Sequence, residues 1–262
     1  AKPGSLQLDL AWRISSRVFI WRASPELDYN LFLEVDEMIR ALIFDFDGLI
    51  LETEGPIYLS WQALYASYGY PLPFEVWATT IGSAEAEFDP ARELERLVGQ
   101  PLDWERIEPE RQKNELALIS KQPLLRGVEL ILQDARRMGL KIGLASSSSC
   151  KWVDGHLRER GLRSYFDVVR AADDVRLTKP DPELYLAVLA ALGVCGAEAV
   201  ALEDSPNGIR AAKAAGMICV AVPNQLTRQL VLDEADLRLD SLAEMPLERL
   251  LEKVERLKNN ND

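Results

Sequence analysis

Two carboxylates separated by one residue, Asp45 and Asp47, follow an apolar run at residues 41–44 and precede Gly48. The run has the composition of a buried strand, and α/β folds bind their ligands at the carboxyl ends of such strands. Neighbouring carboxylates repel each other unless a cation lies between them. The pattern indicates a nucleophile and a proton-transfer group that share Mg2+, although an acidic turn after a strand would have the same residues.

A second acidic pair follows a later apolar run. Glu203 and Asp204 come directly after residues 199–202, and Ser205-Pro206 then has the pattern of a capped helix start. Two acidic strand ends that meet at one edge of a parallel sheet are costly unless a divalent cation is bound there. A few hard oxygen ligands suit Mg2+, which keeps some waters and takes a phosphate oxygen of the substrate. The sequence therefore predicts Mg2+ as the cofactor.

Two further segments could bind a phosphate. Ser146 opens a run of serines after the apolar segment 141–145, and hydroxyls with free backbone N–H groups at a helix start form an anion site. A polar loop with a helix cap has the same composition, so both interpretations of this run stay open. Lys179 precedes Pro180, which holds it extended just before a capped helix. A lysine there can neutralise a phosphate or a carboxylate cluster, but many loop lysines are simply solvated.

The elements that must position these residues alternate between helix and strand after residue 122. Helical stretches run into apolar, mostly strand-like segments at Gly139, Gly161, Gly193 and Gly216. Gly fits the left-handed cap position after a helix, and apolar strands alternating with helices indicate a parallel sheet covered on both faces. Residues 55–122 have helical patterns without a clear strand. The predicted fold class is α/β, with a doubly wound, Rossmann-like parallel-sheet core and an inserted α-helical cap domain.

Domain limits follow from these patterns. The predicted core comprises residues 38–54 and 123–250, the cap residues 55–122 and a C-terminal tail residues 251–262, with an amphipathic helix expected at 247–258. Residues 1–37 are rich in Trp, Arg and Ser, do not share the pattern and lack a signal-peptide layout. They are either an extension before a natural start at Met38 or an N-terminal element that packs on the core.

Composition limits the classes of function. The chain of 262 residues has 48% hydrophobic and 27% charged residues, and no apolar run is long enough to cross a membrane. A net charge of −12 disfavours nucleic acid as a partner but permits small phosphorylated substrates in a pocket. Three cysteines without metal-like spacing suggest reduced thiols and a cytoplasmic location. The single histidine, His156, is expected on a helix surface rather than in catalysis.

The order of the chemical segments resembles that of a known family. Four segments are similar to the four motifs of the haloacid dehalogenase-like (HAD) hydrolase superfamily: Asp45-Phe46-Asp47-Gly48, the strand ending in Ser146, Lys179-Pro180 and Glu203-Asp204. The insert after the first motif resembles the helical-cap branch, which includes phosphatases and β-phosphoglucomutase. The resemblance covers residues 38–250 and implies that Asp45 becomes an aspartyl phosphate while Asp47 is the general acid and base. Dehalogenases of the superfamily lack this second acid, so its presence points to phosphoryl transfer.

The resemblance also implies the remaining roles. Ser146 would bind the phosphoryl oxygens, and Lys179 would neutralise and orient Asp45 and the phosphate. Mg2+ would be held by the Asp45 carboxylate, the Asp47 backbone carbonyl, Asp204 and, in an assisting role, Glu203. Substrate choice would depend on cap residues, for which the loop at 79–85 gives few clues.

Three functions remain open on the sequence. The leading hypothesis is a Mg2+-dependent phosphatase that acts on a small phosphorylated metabolite, with a sugar phosphate as one candidate. The first alternative is a phosphosugar mutase like β-phosphoglucomutase, because Arg111-Gln112-Lys113-Asn114 faintly resembles a Lys-Asn motif in the cap of that enzyme. The third is a catalytically inactive binding protein on the same fold, which the presence of all the acids, the Ser and the Lys disfavours. The sequence does not indicate the oligomeric state.

Overall fold

The structure, a computed structural model, describes residues 10–14, 17–21, 33–35, 38–81 and 88–261. Its strands are β1 (Leu10–Ile14), β2 (Arg17–Trp21), β3 (Leu33–Val35), β4 (Ala41–Phe44), β5 (Lys141–Ala145), β6 (Val168–Arg170), β7 (Ala199–Glu203), β8 (Ile218–Ala221) and β9 (Leu237–Arg238). Its α-helices are α1 (Glu54–Ser67), α2 (Phe74–Trp77), α3 (Pro90–Val98), α4 (Trp104–Ile119), α5 (Val128–Arg137), α6 (Cys150–Glu159), α7 (Glu183–Leu192), α8 (Pro206–Ala214) and α9 (Leu247–Asn261).

A parallel sheet of six strands, in the order β6-β5-β4-β7-β8-β9, forms the centre of the fold. The chain proceeds from β4 to β5 and β6 on one side and then returns to the other side of β4 with β7. Such a reversal opens a crevice at the carboxyl ends of the strands, where α/β folds bind ligands.

Both faces of this sheet are covered, because its strands alternate between two apolar clusters. In β4, Leu42 and Phe44 are buried in one cluster, and Ala41 and Ile43 in the other. Residues of α5, α6 and α9 complete the first cluster, and residues of α7 and α8 complete the second. The predicted doubly wound α/β core is thereby confirmed.

Between β4 and β5 the chain forms the inserted helical cap, α1 to α4. The helices share a separate apolar cluster of Trp61, Tyr65, Leu72, Trp77, Ile81 and Leu94. The buried aromatic residues Trp61, Tyr65 and Trp77 therefore form part of the hydrophobic core of the cap. Pro109 lies inside α4, which begins five residues earlier at Trp104. The earlier start is stabilised by Trp104, whose indole N–H donates to Glu95 at 2.9 Å.

Both ends of the chain contain secondary structure beyond the core and the cap. Strands β1, β2 and β3 form an antiparallel sheet with one another within residues 1–37, a segment for which the sequence left open an upstream extension or an N-terminal element. The helix expected at 247–258 is α9, which continues through Asn261, and Val254, within the predicted tail 251–262, is fully buried in the core. The apolar residues of α9 recur at helical spacing, which keeps the helix on the sheet beyond the limit at residue 250. Within the described ranges, no helix combines the length and hydropathy needed to cross a bilayer.

Candidate active site

The carboxyl end of β4 carries a buried ion pair. Asp45 directly follows β4 and is 7% exposed, and Lys179, from the loop before α7, is 1% exposed. The Lys179 ammonium donates to Asp45 Oδ1 at 2.5 Å and to Glu203 Oε1 at 2.6 Å. Glu203 ends β7, which pairs with β4 in parallel register. The sheet thus places two carboxylates that are distant in sequence on one ammonium group.

Glu203 has no exposed surface, and protein donors occupy both of its carboxylate oxygens. Oε1 accepts from the Lys179 ammonium and from the Tyr185 hydroxyl at 2.7 Å. Oε2 accepts from the backbone N–H of Asp204 at 3.1 Å and from the Ser205 hydroxyl at 3.3 Å. The Tyr185 ring also lies 5.1 Å from the Lys179 ammonium. Glu203 and Tyr185 therefore fix the position of Lys179.

Asp204, the residue after β7, is 1% exposed, and its carboxylate is hydrogen-bonded by Asn224. The Asn224 amide donates to Asp204 Oδ2 at 2.9 Å and to the Gly48 carbonyl at 3.1 Å, while Asn224 Oδ1 accepts from the Thr227 N–H at 2.9 Å. Gly48 has a φ of +81°, and a Cβ there would lie 2.3 Å from Asp204 Oδ2, so this position requires glycine. Asn224 thus joins Asp204 to the loop that carries the first acidic pair.

Asp47 is partly buried and accepts four side-chain hydrogen bonds. Its Oδ1 accepts from the Thr53 hydroxyl at 2.8 Å and from the Trp152 indole N–H at 2.9 Å. Its Oδ2 accepts from the Ser148 hydroxyl at 2.6 Å and from the Ser146 hydroxyl at 3.4 Å. Asp47 therefore lies between the serine run after β5 and the beginning of the cap.

Negative charge exceeds positive charge in this buried site. Burial raises the pKa of Asp45 to about 8; Lys179 opposes the shift, whereas Glu203 and Asp47 add to it. Burial also raises the pKa of Asp204 well above its usual value, with repulsion from Asp45 and Glu203. Burial disfavours the charged form of Lys179, but the Asp45 and Glu203 carboxylates more than offset this and raise its pKa. One ammonium thus faces three buried carboxylates, an arrangement that favours a further cation.

The donor set fits a divalent cation. Carboxylate oxygens of Asp45, Glu203 and Asp204, one from each residue, lie within 4.8 Å of one another, and Mg2+ prefers such hard oxygen ligands. All the site residues predicted from the sequence lie in this one region: Asp45, Asp47, Ser146, Lys179, Glu203 and Asp204.

Sequence reasoning missed the residues that orient these groups. Asn224 follows β8, so a polar residue at another strand end was an available signal. Thr53 and Trp152 lie a few residues beyond recognised motifs but belong to no pattern of their own. In the sequence, Tyr185 fits the apolar pattern of α7. Its hydrogen bond to Glu203 is evident only in the fold.

Two further expectations concern residues near the site. His156 was expected on a helix surface, but its side chain is only 11% exposed, because its ring packs between Phe46 and Trp152. Of the cap loop 79–85, residues 82–85 lie outside the part of the chain that the structure describes.

The fold and the site define a known class of protein. Residues 42–222 match the haloacid dehalogenase-like hydrolase family, from β4 through the end of β8. The chain belongs to this family, and the resemblance drawn from the four motifs is confirmed.

Individual relatives lie in the helical-cap branch. The Bacillus subtilis protein YhcW is 48% identical over 215 residues, which are 82% of this chain and 97% of YhcW. A phosphorylated carbohydrates phosphatase of Thermotoga maritima is 32% identical over 181 residues, 68% of this chain and 82% of that protein. The crystal structure of β-phosphoglucomutase from Clostridium difficile aligns with a TM-score of 0.65 at 27% identity, covering 86% of this chain and 99% of that chain.

Proposed function

We propose that this chain is a Mg2+-dependent phosphomonoesterase that hydrolyses a small phosphorylated metabolite through an aspartyl phosphate on Asp45. The observation that carries the proposal is the buried Asp45 carboxylate, held by Lys179 at the end of the central strand with Glu203 and Asp204 beside it. Family membership supports hydrolysis of a phosphate monoester. The Thermotoga maritima relative acts, by its name, on phosphorylated carbohydrates, which supports sugar phosphates as the substrate class.

Mg2+ fits the acidic cluster, and we assign it to the Asp45 carboxylate, the Asp47 backbone carbonyl and Asp204. When bound, it supplies positive charge against the phosphoryl oxygens. Glu203, which the sequence placed among the ligands in an assisting role, has both oxygens occupied by protein donors. We therefore propose that Glu203 assists chiefly by holding Lys179.

In this proposal Asp45 is the nucleophile and Asp47 is the general acid and base. An Asp45 carboxylate oxygen forms a bond to phosphorus while the bond between phosphorus and the leaving alkoxide oxygen breaks. Asp47 gives its proton to that oxygen and then takes a proton from the water that attacks the aspartyl phosphate. The second step breaks the bond between Asp45 and phosphorus, releases phosphate and restores both carboxyl groups. Ser146 and Lys179 bind and orient the phosphoryl oxygens in both steps.

The cap is proposed to choose the substrate. We retain residues 55–122 as the cap, with residues 38–54 and 123–250 as the catalytic core. The two are joined beside the site, since the Asn207 amide on α8 donates to the Ile81 carbonyl at 3.0 Å. We further propose a cytoplasmic location, in keeping with the chain's phosphorylated substrate class.

The structure of the cap bears on the mutase alternative through Arg111. Arg111, the first residue of the segment that resembled a mutase motif, is buried in the cap, where it donates to Glu108 and Glu115. Its guanidinium also lies 4.4 Å from the Trp61 ring centre. A guanidinium paired in this way is not available for a second phosphate site. Lys113 and Asn114, which resemble the Lys-Asn motif itself, are exposed, so the mutase remains the alternative.

The test is phosphate release from a panel of sugar and nucleoside monophosphates, with Mg2+ or with EDTA, by wild type and Asp45→Asn. We expect Mg2+-dependent release that the variant loses while its thermal unfolding stays cooperative. Release that persists in Asp45→Asn would exclude the aspartyl phosphate. No release from any compound would refute the phosphatase, and conversion of β-glucose 1-phosphate in the presence of a bisphosphate would then establish the mutase.

A further inference from the structure

Trp152 contacts the proton-transfer residue, yet the proposed reaction gives it no role. Its indole N–H donates to Asp47 Oδ1 at 2.9 Å. The backbone of Trp152 is fixed as well, because its N–H donates to the Ser149 hydroxyl that caps α6, at 3.3 Å. The residue that donates to Asp47 therefore lies in the capped first turn of α6.

The indole ring is braced by the only histidine of the chain. His156, one turn further along α6, meets Trp152 edge to face at 4.5 Å between ring centres, with an interplanar angle of 83°. The other side of His156 stacks on Phe46 at 6.2 Å and 19°. Phe46 is 1% exposed and lies between Asp45 and Asp47 in sequence. These contacts form a closed ring from Phe46 through His156 and Trp152 back to Asp47.

The two oxygens of Asp47 have chemically different partners. An indole N–H can only donate, whereas a serine hydroxyl can donate or accept. Oδ1 also accepts from the Thr53 hydroxyl, so a proton on Oδ1 would share that oxygen with the Trp152 indole proton and weaken its bond. A proton on Oδ2, whose partners are both serine hydroxyls, can be donated to the Ser148 hydroxyl after that hydroxyl rotates and leaves the Trp152 bond intact. Ser146, the residue proposed to bind the phosphoryl oxygens, also contacts Oδ2. With Ser146 in its proposed role, Oδ2 is the Asp47 oxygen nearer to the bound phosphate.

We propose that Trp152, braced by His156, is a positioning residue that fixes the Asp47 carboxylate and assigns the transferred proton to Oδ2. This inference rests on the proposed function, in which Asp47 delivers a proton to the leaving oxygen. Trp152 does not touch the reacting atoms. It acts by limiting rotation of the Asp47 side chain.

The matched variants are Trp152→Phe and Trp104→Phe. Both remove an indole N–H that donates to a carboxylate at 2.9 Å and keep an aromatic ring, but the partner of Trp104 is Glu95 in the cap. In a 1H–15N spectrum, each variant identifies its own indole signal. We expect Asp47→Ala to move the Trp152 signal and to leave the Trp104 signal in place, which also shows that the variant is folded. A Trp152 signal that does not respond to Asp47→Ala would overturn the proposal, whether or not the enzyme is a phosphatase.

The kinetic test compares leaving groups. An alkoxide must be protonated as it departs, whereas p-nitrophenolate leaves as an anion and needs little help from a general acid. Loss of one hydrogen bond to a charged group should lower kcat/KM for an active sugar phosphate about tenfold in Trp152→Phe, and that for p-nitrophenyl phosphate less than about twofold. Trp104→Phe should change neither value. Equal losses on both substrates would assign Trp152 a purely structural role. An inactive wild type would refute the proposed function, while the spectrum would still show whether the Trp152 indole donates to Asp47.

Discussion

Individual side chains at this site are coupled through charge. The Lys179 ammonium is the cation placed between Asp45 and Glu203, and all three are nearly or fully buried. Taking a buried charge away from such a cluster leaves its partners unpaired, which costs more than the pair itself contributes. The stability of this site and its chemistry therefore depend on the same residue.

Lys179→Met should abolish phosphate release and lower the free energy of unfolding by about 3–5 kcal/mol in the absence of Mg2+. The physical reason is that Asp45 and Glu203 lose their shared donor in a site that excludes water. Urea unfolding of the variant in EDTA measures the cost. The control is Lys213→Met, which breaks a more accessible pair with Asp236 and should cost about 1 kcal/mol or less. Equal costs for the two variants would contradict the importance of the buried cluster.

Asp45 predicts a pH dependence of stability. Its pKa in the folded, Mg2+-free protein is about 8, above its value of about 4 in an unfolded chain. A raised pKa contributes stability that is fully present below about pH 4 and is lost as the pH rises through about 8. Since Mg2+ and the proton compete for this carboxylate, Mg2+ should bind more tightly as the pH rises over the same interval.

The measurement is the increase in Tm produced by Mg2+ at pH 6 and at pH 8. We expect the larger increase at pH 8 in wild type, and a difference that shrinks in Asp45→Asn. An increase of the same size at both values would show that Asp45 is already ionised at pH 6.

The close packing of helix α8 against the end of β7 limits which residues can lie next to Glu203. Helix α8 starts at Pro206, after the Ser205 cap, and its first turn passes directly over Glu203. A Cβ on Gly208 would lie 1.9 Å from the Glu203 carboxyl carbon. The glycine therefore lets the helix approach the strand end closely enough to cover the buried carboxylate.

Gly208→Ala should displace the Glu203 carboxylate and with it the Lys179 ammonium. Overpacking of this kind costs about 1–3 kcal/mol, and we expect kcat to fall as well because Lys179 loses its position. Thermal unfolding and phosphate release measure the two effects. Gly155→Ala is the matched control, since Gly155 also lies within a helix but has no atom near the added methyl group, so its Tm should stay or rise. A Gly208→Ala protein with wild-type Tm and kcat would contradict the close approach.

How much of this site can be predicted from the sequence depends on how far apart in sequence the interacting residues lie. Asp45, Asp47, Glu203 and Asp204 were recognisable because each pair lies at the end of an apolar strand, β4 or β7, which is a local signal. Their partners were not, because the bond from Trp152 to Asp47 spans 105 residues and that from Asn224 to Asp204 spans 20. Periodicity places such residues on a helix or after a strand but does not say which carboxylate they meet. The fold class and the helix at 247–258 followed from strand and helix patterns, whereas β1 to β3 did not.

At the scale of the whole molecule, the order of the strands explains why one chain can hold both a rigid site and a cap. The cap is inserted directly after the first acidic loop, so α1 begins with Thr53 at its N-cap already bonded to Asp47. On the other side, the Asn207 amide of α8 donates to the carbonyl of Ile81, the last described residue of the cap before the gap at 82–87. The cap is therefore tied to the core at both sides of the site.

The same strand order predicts that residues 1–37 are dispensable for activity. Strand β4 is the central strand and pairs with β5 on one edge and β7 on the other, so the sheet of β1, β2 and β3 cannot extend the core sheet at β4. A protein comprising residues 38–262 should therefore keep its kcat/KM for sugar phosphates and the Tm of the full chain. Calorimetry and phosphate release on the two proteins decide the point. A lower Tm with unchanged kcat/KM would show that the N-terminal strands pack on the core, and a loss of both would place them among the elements that the site needs.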